Sequence, residues 1–133
     1  MHEQQVSCAQ KCLHGAHDGT LSFPEMLGLL HAAGFEGYTV DFRRNVRTYY
    51  LPNGDSVTLD MLCEGGAVAA VFEPAQVEAQ VRWAQKNAPD YSYDTFCERV
   101  RAAGCAGYLV SILGRRVVYF GRTAETHVEL LPG

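Results

Sequence analysis

The sequence predicts an α+β fold, an antiparallel sheet with helices on one face, built from a helix-helix-strand-strand-strand unit that occurs twice. Three observations predict it. The stretch "AAGFEGYTV" at 32–40 returns as "AAGCAGYLV" at 102–110. Apolar residues at helical spacing precede each copy, and β-rich runs separated by turn signals follow each. At a constant offset of seventy, 22–50 and 92–120 align without a gap, with identities at Ser22, Ala32, Ala33, Gly34, Gly37, Tyr38, Val40 and Tyr49.

Each element has its own justification. "VSCAQK" at 6–11 resembles "VRWAQK" at 81–86, a first helix in each unit. Ser22 and Ser92 suit helix N-caps, and Glu25 completes an S-x-x-E capping box that satisfies two amide donors the helix leaves free. Phe23, Met26, Leu27 and Leu30 then recur at i, i+3, i+4 and i+7, as do Tyr93, Phe96, Cys97 and Val100, so each set lines one helical face. Gly34 and Gly104 stand where a left-handed residue ends a helix. Residues 38–43 with 46–51, and 108–113 with 116–120, read as hairpins. Turns at Arg44-Asn45 and Gly114-Arg115 would set Val40 opposite Tyr49 and Val110 opposite Tyr119. "SVTL" at 56–59 and "HVEL" at 127–130 supply a third strand each. The units, 3–61 and 74–131 joined by 62–73, are each too small to be comfortable alone, so one domain with a shared core is expected.

With its paired "AG..GY.V" corners and its length, the chain resembles the YbcV-like family of small bacterial and prophage-associated proteins, commonly labelled uncharacterised or "phage envelope protein". The shared motifs are structural, so the resemblance implies a fold and carries over no functional residue.

Composition narrows the function classes. A formal charge of −4 with scattered basic residues lacks the footprint of a nucleic-acid binder. No stretch approaches the roughly 20 apolar residues that span a bilayer, and the first residues lack the apolar run of a secretory signal. Five cysteines, Cys8, Cys12, Cys63, Cys97 and Cys105, form an odd set without a CxxC pair. That fits reduced thiols and a cytoplasmic location. No nucleic acid, membrane or cofactor is expected.

Cys8, Cys12, His14 and His17 are close in sequence, but a continuous helix turns His14 about 200° from Cys12, so no metal site is expected. No nucleophile motif surrounds any cysteine, and Cys97 and Cys105 hold packing positions. "EGG" at 64–66 and "LPNGD" at 51–55 lack phosphate-loop spacing and read as turns. Alternation sends Thr39, Asp41, Arg43, Val46, Thr48 and Tyr50 to the face away from the helices, and from the second unit Leu109, Ser111, Leu113, Arg116, Val118 and Phe120. The first set is mixed polar. The second is apolar, and an uncovered apolar face marks a contact site. Two function classes follow. One is a small-ligand- or protein-binding module, with a homodimer through Leu109, Leu113, Val118 and Phe120. In it a small acidic ligand would lie near Asp41, Arg43, Thr48, Tyr50, Arg115 and Arg116. The other is a small enzyme using a Cys or His between the two units.

Overall fold

The computed structural model describes residues 1–132. Helices α1 (Glu3–Asp18) and α2 (Phe23–Ala32) lead into strands β1 (Gly37–Asp41), β2 (Val46–Tyr50) and β3 (Ser56–Asp60). Helices α3 (Pro74–Lys86) and α4 (Tyr93–Ala102) lead into β4 (Cys105–Ser111), β5 (Arg116–Gly121) and β6 (Thr126–Leu130). The α+β class and the helix-helix-strand-strand-strand order, met twice, agree with the pattern in the sequence.

All six strands join one antiparallel sheet in the order β3-β2-β1-β4-β5-β6. The two sets of strands meet at β1 and β4, where Gly37 pairs with Ser111 and Gly107 with Asp41. A Cβ at Gly37 would lie 2.4 Å from the Val110 carbonyl oxygen, and one at Gly107 would lie 2.3 Å from that of Val40. The second glycine of each "AGxxGY" stretch is therefore what lets the central strands approach.

Helix starts follow the capping chemistry. Ser22 accepts a hydrogen bond from the Glu25 amide while the Glu25 carboxylate accepts one from Ser22, and Ser92 caps α4 through the Thr95 amide. Past the helix ends, Gly34 and Gly104 take φ of +95° and +86°, as expected of left-handed terminators.

The hairpins differ from expectation by two residues. Tyr38 faces Tyr49 and Val40 faces Arg47; Tyr108 faces Tyr119 and Val110 faces Val117. The loops are four residues long, because the Asp41 carboxylate accepts bonds from the Arg43 and Arg44 amides and Ser111 Oγ accepts from Gly114. Each loop closes on a left-handed residue, Asn45 or Arg115. A two-residue slip preserves which face each side chain occupies, so the expected faces stand.

Helices cover one face. Helix α1 packs on α2, α4 and β3, α3 on α4 and β6, and α4 on β4. Beneath them lie Tyr38, Val40, Tyr49, Tyr108, Val110, Val117 and Tyr119, all buried. Tyr38 and Tyr49 meet at 5.3 Å and 42°, and Tyr108 and Tyr119 meet at the same distance and angle. The 62–73 connection is tied down by Ala69 and Glu73 amides donating to the Arg101 and Ala103 carbonyls, with Val68 and Phe72 buried. No helix among the described residues is long and apolar enough to cross a membrane.

Candidate functional site

A polar seam runs through the core to the surface between the two sets of elements. Arg47 points inward from β2 and is 1% exposed. It donates to the hydroxyls of Tyr93 at 2.7 Å, Tyr49 at 3.3 Å and Tyr108 at 3.5 Å, with its guanidinium 4.7 Å from the Tyr38 ring centre. Its Nε has no partner among the described residues. The charge is thus held by hydroxyl dipoles and ring faces, with no carboxylate among its partners. Tyr93 and Tyr108 also hydrogen-bond each other, and burial raises both phenols well above their ordinary range.

Toward the surface, the Tyr93 ring meets the His17 ring edge-on at 5.0 Å. His17, in the last turn of α1, bonds through Nδ1 to Asp94 in the first turn of α4 at 2.6 Å. The Leu62 amide donates to His17 Nε2 at 3.4 Å, which assigns the proton to Nδ1 and the lone pair to Nε2. Burial lowers the pKa of His17 against the pull of Asp94, favouring the neutral ring. One residue along from Leu62, Cys63 brings its sulfur within 4.8 Å of ligand atoms of both His17 and Asp94. A hydrogen bond with the Cys97 thiol draws Cys63 down to about 7, with the Arg101 charge helping and burial and Asp94 opposing. Burial pushes Cys97 itself far up, Cys12 to about 12 and Cys105 to about 11.

Several groups hold Cys63 in place. Asn45 Nδ2 donates to the Cys63 carbonyl at 3.0 Å. Arg101, 8% exposed, lies under the following turn, where a Cβ on Gly66 would come 3.2 Å from its Nη2; its Nη1 has no partner among the described residues. The three residues His17, Cys63 and Asp94 also have the donor set of a metal site. Nδ1 and Oδ1 at 2.6 Å are already bonded to each other, however, and a tetrahedral ion would have to part them.

The face away from the helices divides in two. Across all six strands runs the row Thr58, Thr48, Thr39, Leu109, Val118, Val128. Its β3-β2-β1 half also shows Asp41, Asp60 and Tyr50; its β4-β5-β6 half adds Phe120, Arg116 and Leu130. Leu109 is 42% exposed, Leu113 62% and Val128 45%, while Val118 and Phe120 are half-buried.

The expected acidic-ligand residues do not come together. Arg43 lies in the β1-β2 turn, at the Asp41↔Gly107 end of the central pair; Arg115 and Arg116 lie at the Gly37↔Ser111 end, a strand's length away. Asp41 caps its own turn, Thr48 hydroxyl bonds to Thr58 at 3.0 Å, and Arg115 donates to the Pro132 carbonyl. A single site containing all six is corrected by this topology. The Cys8, Cys12, His14 and His17 group is also dispersed: Cys8 and Cys12 sulfurs face the Leu29 and Met26 carbonyls, His14 is exposed, and His17 turns to α4.

Sequence reasoning missed Arg47 and the His17, Cys63 and Asp94 cluster. For Arg47 a signal existed, since sending Val46, Thr48 and Tyr50 outward leaves Arg47 facing the helices. Compared with protein-family models and with curated proteins, the chain matches none.

Proposed function

We propose that this protein is an interaction module that pairs with a second copy through the β4-β5-β6 half of its open sheet face. The observation that carries the reading is the division of that face. Among the nine outward positions of β4, β5 and β6 the only charge is Arg116, and Leu109, Val118, Phe120, Val128 and Leu130 form a continuous apolar surface. A second copy is the occupant whose chemistry matches, because stacking β5 on β5 lays apolar on apolar. Full overlap of the two sheets would instead lay it on Asp41 and Asp60. Three strands about 4.8 Å apart and about 20 Å long give a footprint of roughly 300 Å². That is less than the ~800 Å² per partner of a standard interface, so Leu113 and Pro132 must join the rim, and the pair is expected to be micromolar.

A cytoplasmic setting and kinship with the YbcV-like family belong to the same proposal. Five unpaired thiols support the first, and the paired glycine corners support the second. Duplication of one ancestral unit is likewise supported by the palindromic strand order. The test is sedimentation of wild type against Leu109→Lys with Val128→Lys. The wild type should show twice the 14.6 kDa protomer mass at tens of micromolar, on the order of a micromolar interface. The variant should sediment as a monomer with an unchanged helix signal. A monomeric wild type, or a variant that still pairs, refutes the reading.

A further inference from the structure

We propose that Cys63 is a nucleophile, with His17 as its base and Asp94 positioning the imidazole, and that it accepts the acyl group of a small activated ester or thioester. This inference is independent of self-association.

The parts are those an acyl transfer needs. A thiol becomes a competent nucleophile when a neutral base lies beside it and a third group orients that base. Here Asp94 holds Nδ1–H at 2.6 Å, and the lone pair of Nε2 faces the Leu62 amide of the Met61–Leu62 peptide, engaged only by a long 3.4 Å bond. The sulfur lies within 4.8 Å of a ring nitrogen of His17 and of an Asp94 carboxylate oxygen, and a general base must come within hydrogen-bond reach of the proton it takes, a contact that apo structures often hold long. The independent observation is Arg101. Its buried guanidinium lies against Gly66, three residues past Cys63, with no partner for Nη1 among the described residues, and its charge acts on the Cys63 sulfur, so it can neutralise the oxyanion formed when sulfur adds to a carbonyl. Access is from the Cys63 and Asp94 side, since the Asp94 side chain is 51% exposed and Cys63 is half-buried, while the His17 side chain behind them is 6% exposed.

The step balances without an oxidant or cofactor. His17 Nε2 takes the thiol proton as sulfur attacks the carbonyl carbon. The C–S bond forms, the bond to the leaving oxygen or sulfur breaks, and the leaving group takes the proton from His17. In the second half His17 takes a proton from water as its oxygen adds to the thioester. The C–S bond then breaks, the acid departs and the thiol is restored. The Cys97 thiol, next to Cys63, stabilises the sulfur anion in both halves.

The experiment uses the full chain with p-nitrophenyl acetate, following nitrophenolate release and the mass of the protein. One acetyl group per chain should appear on Cys63, at least ~100-fold faster than on Cys8, the other half-buried thiol, because Cys63 and not Cys8 is grouped with an imidazole and a carboxylate. The rate should rise with pH to a midpoint near 7. His17→Asn should slow turnover on the order of 10²-fold or more. Asp94→Asn should lower turnover while iodoacetamide, which needs only a thiolate, still alkylates Cys63 at close to the wild-type rate; a purely structural role would move both. Cys63 acetylated no faster than Cys8, or turnover unchanged in His17→Asn, overturns the proposal. So does stoichiometric zinc uptake that is lost in Cys63→Ser. Should His17→Asn fail to fold, the comparison of Cys63 with Cys8 in the wild type decides alone.

Discussion

Gly34 and Gly104 hold the same place in the repeated stretch, yet a methyl group meets different surroundings at each. At Gly34 the nearest atom to an added Cβ is the flexible amide of Gln5 at 3.6 Å, whereas at Gly104 it is the Val71 carbonyl oxygen at 2.0 Å. Gly34→Ala should therefore cost about 1 kcal/mol, the strain of a left-handed alanine. Gly104→Ala should cost roughly 3 kcal/mol or more, since backbone of the 62–73 connection must also move. Urea midpoints measure both, and equal losses would contradict the packing described. Arg47 supports a second prediction. A lysine has no planar fork to reach three hydroxyls while lying over a ring, so Arg47→Lys should destabilise by about 1–3 kcal/mol. A midpoint within error of wild type would show that the tyrosine cage contributes little. The inward direction of Arg47 was legible from strand alternation. Its cage was not, because Tyr93 and Tyr108 come from sequence positions 46 and 61 residues away.

Elements were read well where local chemistry decides them. Capping serines, apolar stripes and terminating glycines each act within about two helical turns, and these features match the structure at α2 and α4. The hairpin register was misread because Asp41 and Ser111 act as turn caps from inside the strand ends, lengthening each loop by two residues. The site was read worst: Cys63 sits in a connection without periodicity, and His17 and Asp94 lie at facing ends of α1 and α4. That junction has a consequence for pH. The pKa of His17 is lowered from 6.5 on folding. Between 6.5 and the lower folded value the unfolded chain holds a proton that the folded chain does not, so stability rises with pH in that window. It should be fully present above 6.5 and decline on acidification below it. Thermal midpoints between pH 7 and 5 should fall in the wild type and fall less in His17→Gln. An identical decline in both would assign the dependence to other groups.

At the scale of the molecule, six strands and four helices leave one layer unfinished. Helices bury the tyrosine-rich face, and among the described residues Leu109 and Val128 stay exposed on the other, with Val118 half-buried between them. Self-pairing would complete a second core while leaving the threonine-rich half of each face and the Cys63 cluster open, since the cluster lies on the helix side of the sheet. Stacking β5 on β5 brings the two Val118 side chains close to the two-fold axis. The most direct measurement is an isotope-filtered NOE spectrum of a mixture of labelled and unlabelled protein at high micromolar concentration. Contacts between chains should appear among the methyl groups of Leu109, Val118 and Val128. Their absence, or contacts confined to the helices or to Thr39, Thr48 and Thr58, would contradict the account.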